Sequence, residues 1–459
     1  MNYRYVLVYF LYINLFLFIS SFYFGLGHQF LNLDYLFLLI FCCIPKNIFT
    51  SILLVVSYLF IYFVDILLVV IQIFPFVRLM DIVYLSNFVF YGPVLYRILL
   101  WVVLVNALIN VFLIKNYFFN NINLKIKHYF YIVLIVVFTL IANQFLPSQV
   151  KGAVHARINE ELVGSQVLFF IKNHQSTFVQ AAGKDVTKLE HTHYKNATLQ
   201  LFSQLNESKT TTKKILMIVN ESWGETANSE HQMAILSPIY SRKEKLEYIN
   251  QGAFNFIGAT VAGELRELCQ KQSSTFNLKD VNNEEFKDCL PNKLKRIGYK
   301  TYAVHGAMSI MYDRSSWYPK AGFDQFYSFE QLNNAGVCFS FSGRCDIKII
   351  PYIKSFLLNS DKSFVYWLTL NSHAPYDDRI FYEGFNCKYH GIKAGTETCK
   401  NFRLQYQFFY SLATLIDDPK MSGVEVYVAG DHSPPIFDIG ENFFSYKNTD
   451  VAWIHFKIK

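Results

Sequence analysis

The chain has 459 residues, of which 52% are apolar, 18% aromatic and only 17% charged, where an average soluble protein is about 25% charged. That excludes a disordered chain and argues against a wholly soluble one, and the length allows two or three domain-sized units. The net charge of +7 comes without a basic tract long enough for nucleic acid; in so apolar a chain it fits cytoplasmic loops and lipid headgroups.

Nearly all long apolar runs lie before residue 147, and nearly all acidic residues lie after it. A spanning helix needs roughly 20 mostly apolar residues. Residues 6–24, 48–74, 94–114 and 129–145 meet that, and 31–44 is a shorter candidate carrying Asp34. We therefore expect an α-helical membrane domain of about five spans over residues 1–147. Arg4, Lys46, Lys115, Lys125 and Lys127 fall in loops of one parity, which puts the N-terminus inside and the C-terminal half outside. Arg78 and Arg97 fit that orientation least well. Asp65, inside a span, reads either as functional or as paired to a neighbouring helix.

Residues 148–212 are polar, with helical-looking stretches at 156–172 and 189–205, and read as an amphipathic connector near the membrane surface. From residue 213 to 459 the pattern is that of an α/β domain. Short apolar runs at 215–219, 302–304, 364–370 and 424–429 have the character of buried parallel strands. Helical stretches at 263–270, 290–296 and 403–416 separate them, so a central, mostly parallel sheet is expected. Cys269, Cys289, Cys338, Cys345, Cys387 and Cys399 all lie in this half. An even set in an extracytoplasmic domain implies disulfides, and we expect sequential pairing.

Three of the strands run straight into polar residues: Asn220-Glu-Ser-Trp-Gly224, Asn371-Ser-His-Ala-Pro-Tyr376 and Gly430-Asp-His-Ser-Pro-Pro435. In open α/β sheets ligands bind beyond the carboxyl ends of strands, so these clusters predict one site. Glu221, Asp431 and His432 suit a divalent ion such as Zn²⁺ or Mn²⁺. Thr260 lies in a small-residue turn, Gly258-Ala-Thr-Val-Ala-Gly-Glu264, that opens a helix. On that stretch alone a capping threonine is the plainer reading. Beside a metal, its hydroxyl becomes a nucleophile.

The order of these motifs resembles the alkaline phosphatase/sulfatase superfamily, in particular its membrane-bound phosphotransferases: lipoteichoic acid synthase, the phosphoglycerol transferases and the phosphoethanolamine transferases. The resemblance covers residues 213–459 and implies a sulfatase-like domain. It implies Glu221, Thr260, Asp431 and His432 as metal ligands, with Thr260 as the nucleophile that becomes a phospho-ester. His305-Gly-Ala-Met-Ser-Ile-Met-Tyr-Asp-Arg314 is similar to an element of lipoteichoic acid synthase. It implies that Arg314 holds the phosphoryl group and Tyr312 lines the headgroup pocket. His373 matches a histidine that contacts the phosphate or protonates the leaving group. The next histidine after His432 is His455, so a second zinc is not expected. Cys289-Leu-Pro-Asn-Lys293 only imitates the sulfatase formylglycine motif, with Lys in place of Arg.

The resemblance implies an extracytoplasmic, monomeric enzyme on the cytoplasmic membrane. It would move phosphoethanolamine or phosphoglycerol from phosphatidylethanolamine or phosphatidylglycerol to an envelope glycan or lipid. A hydrolase of phosphate or sulfate esters and an inactive envelope scaffold are the alternatives.

Overall fold

The computed structural model describes residues 3–23, 28–73, 94–122, 124–145, 163–171, 188–207, 212–273, 278–338, 343–377, 379, 384–436, 441 and 445–459. The chain forms two compact units. The first takes residues 1–75 and 94–182, and the second takes 76–93 and 183–459.

The first unit is helical: α1 (Tyr3–Tyr23), α2 (Ile48–Ile73), α3 (Val94–Leu113) and α4 (Ile126–Phe145). Among the described residues two helices are long and apolar enough to cross a membrane, Ile48–Val70 and Arg97–Asn121. The expected count of about five is thereby corrected, because the apolar stretches Arg4–Ser20, Asp34–Cys43 and Ile126–Ala142 are shorter. Residues 31–44 form no span. Leu31–Asn32 pairs in parallel with Val163–Gly164, and only one α turn and a 3₁₀ stretch follow. Asp34 fastens this segment by accepting from Ser165 Oγ (2.5 Å) and Val167 N (2.9 Å). Asp65 is fully buried and paired: it accepts from Asn32 Nδ2 (3.0 Å) and Tyr35 OH (2.5 Å), with His28 Nε2 at 3.5 Å. Arg78 lies outside the described residues.

Of residues 148–212, 163–171 fall in the helical unit and 188–207 in the second unit; 148–162, 172–187 and 208–211 lie outside the described residues. Within 189–205, Glu190–His191 is a short strand paired with Lys271–Gln272, and only α5 (Leu199–Asn206) is helix.

The second unit is built on an eight-stranded mixed sheet. Its strands are β1 (Lys214–Asn220), β2 (Gly224–Thr226), β3 (Leu246–Asn255), β4 (Lys300–His305), β5 (Gln325–Tyr327), β6 (Ser363–Leu368), β7 (Glu425–Gly430) and β8 (Tyr446–Ile458). The order is β2-β8-β7-β1-β6-β4-β5, with β3 also on β8. The run β7-β1-β6-β4-β5 is parallel, as expected; β8 turns the sheet antiparallel at its other side. The central strands are continuous apolar runs because both faces are covered. One face carries α6 (Ser229–Tyr240), α10 (Asp346–Leu358) and α11 (Glu397–Ile416), which share a core with Leu216, Ile218, Val365, Trp367, Val426 and Val428. The other face meets α7 (Thr260–Cys269) and α9 (Arg314–Ala321), as shown by Tyr366 of β6 and Tyr318 of α9 both bonding Glu264 of α7. α8 (Leu290–Arg296) follows α7 through the Cys269–Cys289 disulfide. Cys338–Cys345 and Cys387–Cys399 complete the sequential pairing.

Register places the site. His305, Leu368 and Val219 stand side by side, and Asn220 stands opposite Gly430. The residues that follow each strand are therefore delivered to one edge of the sheet.

At the opposite end of β7, Glu425 accepts from Thr212 Oγ1 (2.5 Å), Tyr248 OH (2.8 Å) and Tyr427 OH (2.8 Å), and His455 Nε2 lies 2.9 Å away. Burial pushes the Glu425 carboxyl up, but the hydrogen bonds from His455, Thr212, Tyr248 and Tyr427 outweigh it and bring it from 4.5 to about 2. A depressed carboxyl stabilises the fold above its unfolded pKa, and that stability is lost as pH falls through the folded one. Acid should therefore remove about 2–3 kcal/mol between pH 5 and 2. In thermal melts across that window, Glu425→Gln should show a shallower loss of midpoint than the parent chain.

Candidate active site

After β1 the chain turns sharply at Glu221–Ser222, where Ser222 takes a left-handed φ of 52°. The turn is held from several sides. Thr369, just past β6, accepts from Glu221 N (2.8 Å), and Ser372 Oγ donates to Glu221 O (2.6 Å). Gln405 Nε2 of α11 donates to the carbonyls of Glu221 and Ser222, both at 2.9 Å, and Asn401 Nδ2 donates to Ser222 O (3.2 Å). The turn after β7 lies against this one. A Cβ on Gly430 would stand 1.9 Å from Trp223 O, so only glycine lets the two turns meet.

Glu221, Asp431 and His432 are buried there, and one ligand atom from each lies within 4.8 Å of the others. His432 Nε2 is 3.5 Å from Glu221 Oε1 and 3.3 Å from Asp431 Oδ2. His432 Nδ1 sits 3.0 Å from Ser433 O. Donation to that carbonyl puts the ring proton on Nδ1 and the lone pair on Nε2, the tautomer of a metal ligand. Asp431 Oδ1 accepts from Ser222 N and His432 N, both at 2.7 Å, while its buried Oδ2 accepts no hydrogen bond. Burial first, and then the Asp431 charge, push Glu221 well above the usual carboxylate range. Two buried carboxylates, a carboxylate oxygen without a donor and an imidazole lone pair facing both make a donor set that fits a divalent cation.

Thr260 is brought to the same place. Its Oγ1 donates to Glu221 Oε2 at 3.3 Å. The N-cap of α7 is Ala259, with no side-chain bond, so Thr260 is the first helical residue and not the cap. The first helical bonds run from Ala262 N and Gly263 N to Ala259 O. The N–H groups of Thr260 and Val261 precede them and favour an anion at this end. Two contacts seat the helix on Asp431. A Cβ on Gly263 would stand 2.9 Å from Asp431 Cα. Buried Arg266 donates through Nη2 to Gly430 O (2.6 Å) and through Nη1 to Asp431 O (3.4 Å).

The other expected residues are placed as follows. His373 lies just past β6, its Nδ1 on Ala374 O, and burial pushes its imidazole down to about 3. It is thus neutral, with the lone pair on Nε2. His305 ends β4 and bonds Leu368 O through Nδ1 (3.0 Å). Tyr312 has a left-handed φ of 54°, and its ring centroid is 5.1 Å from the Arg314 guanidinium. Arg314 is buried, with Nη2 2.8 Å from Glu264 Oε2. Both partners are buried, so this is not a surface salt bridge. Residues missed in the sequence are Gln405, Asn401, Thr369 and Arg266, which hold the turns, and Glu264. Their partners lie tens to hundreds of positions away, so no local pattern announces them. His455 is at the far end of β7, remote from this edge.

The Sulfatase family model matches residues 256–418, which include Thr260, Arg314 and His373 but neither Glu221 nor Asp431–His432. That match spans little more than a third of the chain. Among solved structures it is similar to the lipoteichoic acid synthase LtaP from Listeria monocytogenes (17% identity, 54% of this chain and 65% of that one, TM-score 0.40). It is also similar to the Streptococcus pyogenes phosphoglycerol transferase GacH in complex with sn-glycerol-1-phosphate (16%, 59% and 77%, 0.42). A third is the C-terminal periplasmic domain of EcEptC from Escherichia coli in complex with Zn (14%, 60% and 78%, 0.39). No curated protein sequence matches the chain.

Gly263→Ala tests the seat of α7 on Asp431. Pushing a methyl into a packed contact costs about 1–3 kcal/mol, and here it displaces a ligand-bearing turn. Purified Gly263→Ala should keep its three disulfides but take up less divalent metal, by elemental analysis, than the parent chain.

Proposed function

We propose that the chain is a membrane-anchored, metal-dependent phosphotransferase working outside the cytoplasmic membrane. It moves phosphoethanolamine or phosphoglycerol from a phospholipid to a hydroxyl of an envelope glycan or lipid. The observation that carries this reading is the Thr260 hydroxyl, at a helix N-terminus and 3.3 Å from Glu221 in the buried Glu221–Asp431–His432 cluster. Three disulfides support an oxidising compartment, and the two long apolar helices support an anchor. A lipid donor makes anchoring useful, because it stays in the bilayer.

A divalent zinc or manganese ion held by Glu221, Asp431, His432 and Thr260 would lower the hydroxyl pKa and offset the charge of the ester. In the first half-reaction Thr260 Oγ forms a bond to phosphorus and the bond to the diacylglycerol oxygen breaks. The threonine proton ends on diacylglycerol, carried by His373, whose neutral ring has its lone pair on Nε2. The N–H groups of Thr260 and Val261 and the Arg314 guanidinium stabilise the phosphoryl oxygens. In the second half-reaction an acceptor oxygen forms the bond to phosphorus, the Thr260 Oγ–P bond breaks, and the acceptor's proton returns to Thr260. The acceptor needs only a hydroxyl.

Full-length protein incubated with vesicles of phosphatidylethanolamine or phosphatidylglycerol should gain one headgroup-phosphate mass on the peptide containing Thr260. The two adducts differ in mass, so the same spectrum reads the donor. Thr260→Ala should lose adduct and transfer altogether and melt within a few degrees of the parent, since the hydroxyl caps nothing. Full transfer by Thr260→Ala would remove the nucleophile.

A further inference from the structure

Arg314 and Thr260 come from segments more than fifty residues apart, yet one carboxylate joins them. Glu264 is fully buried and lies one turn after Thr260 on α7, where residues four apart share a face. Its Oε2 accepts from Arg314 Nε (3.1 Å) and Nη2 (2.8 Å). Its Oε1 accepts from Tyr366 OH (3.1 Å) and from Tyr318 OH. Four donors from β6 and α9 thus converge on one side chain of the helix that carries the proposed nucleophile.

The bonds also fix how the guanidinium is turned. Arginine has five N–H groups. Glu264 takes Nε–H and one N–H of Nη2, and Met311 O takes one N–H of Nη1 (3.2 Å). Tyr318 also hydrogen-bonds the guanidinium, which is therefore held in one orientation beside Glu264. The backbone before Arg314 is bent to the same end. Tyr312 and Asp313 both take φ of 54°, in the left-handed region, and Trp317 Nε1 holds Tyr312 O at 3.1 Å. Two consecutive non-glycine residues in that region persist only where the surroundings over-determine them, which is common at functional sites.

We infer that Glu264 is a positioning residue: it fixes the Arg314 clamp to the helix bearing Thr260, so that nucleophile and clamp move as one body. The inference rests on the phosphotransfer reading above and adds a residue to it. A merely structural ion pair predicts that loss of Glu264 lowers stability without a specific loss of rate.

The test is the single-turnover rate of adduct formation at Thr260, measured on full-length protein in vesicles of phosphatidylethanolamine or phosphatidylglycerol. Glu264→Asp keeps the charge but withdraws it by one methylene, and should slow adduct formation about 100-fold, as for loss of one transition-state donor. Its metal content should stay near that of the parent chain when both are compared at a temperature where they are folded. Arg314→Lys should be slowed at least as much. The double variant should be no slower than Arg314→Lys alone, because Glu264 acts through Arg314. Tyr366→Phe leaves the ion pair whole, removes one bond to Glu264, and should slow the reaction about tenfold; it carries the test if Glu264→Asp does not fold. A parental rate in Glu264→Asp or Tyr366→Phe, or multiplied losses in the double variant, would overturn the role of Glu264 alone. Absence of any adduct on the parent chain would overturn the phosphotransfer reading, and this inference with it.

Discussion

Two carboxylates buried side by side are the constraint around which the second unit is arranged. Glu221 and Asp431 leave the ends of β1 and β7, neighbouring parallel strands in register. At an effective dielectric of about 20, like charges about 4 Å apart repel by about 4 kcal/mol. Hydrogen bonds from Ser222 and His432 to Asp431, and from Ser222 Oγ to Glu221 (2.9 Å), offset only part of that. Burial adds a desolvation cost for each charge. A fold that keeps such a pair has to hold the two turns rigidly and admit positive charge between them. The unbonded Oδ2 of Asp431 and the Nε2 of His432 face that space.

The rigidity comes from polar side chains that reach in from the core. Gln405 illustrates the economy: its Nε2 takes two turn carbonyls while its Oε1 accepts from Asn220 Nδ2 (2.7 Å). Tyr446 of β8 holds Asn401 in turn (2.6 Å). A buried network of this kind is stabilising only when every member is satisfied. It places the turns that carry Glu221 and Asp431 under the control of α11 and β8, two elements that add no side chain to the cluster.

How much of this was legible depends on whether a signal was local. The four central strands were readable because burial on both faces makes each a continuous apolar run, and their polar tails marked the site edge. β8 and β3 were not, since β3 alternates through exposed positions such as Asn250 and Gln251 and reads as loop. α6 and α10 were hidden by Pro238 and Pro351, residues that normally end a helix. In the helical unit, residues 31–44 had the composition of a span but not its length, and what fixes them is the pairing with 163–164 and the bonds of Asp34. Of the site, Glu221, Thr260, Asp431 and His432 could be named from position. The burial of Arg314 could not, because Glu264 looks like any acidic residue inside a short helix.

The helix α7 shows why a short polar segment can serve as a rigid platform. Its sequence, Thr-Val-Ala-Gly-Glu-Leu-Arg-Glu-Leu-Cys, carries three charges beside an apolar stripe of Val261, Leu265 and Leu268, and nearly every residue is buried. Such a helix is stable only if each charge has an assigned partner. Glu264 has Arg314; Arg266 has Glu267 and the carbonyls of the Gly430–Asp431 turn; Glu267 also accepts from Ala197 N and from Thr198. Arg266 lies over Phe256, 4.1 Å from the ring centroid, so its flat face is covered as well. At the far end Cys269 is bonded to Cys289. The helix is thus fixed along its length by directional contacts added to its apolar stripe, which alone would allow small sliding. For the Thr260 hydroxyl as the proposed nucleophile, that difference decides whether the reacting geometry is held or merely visited.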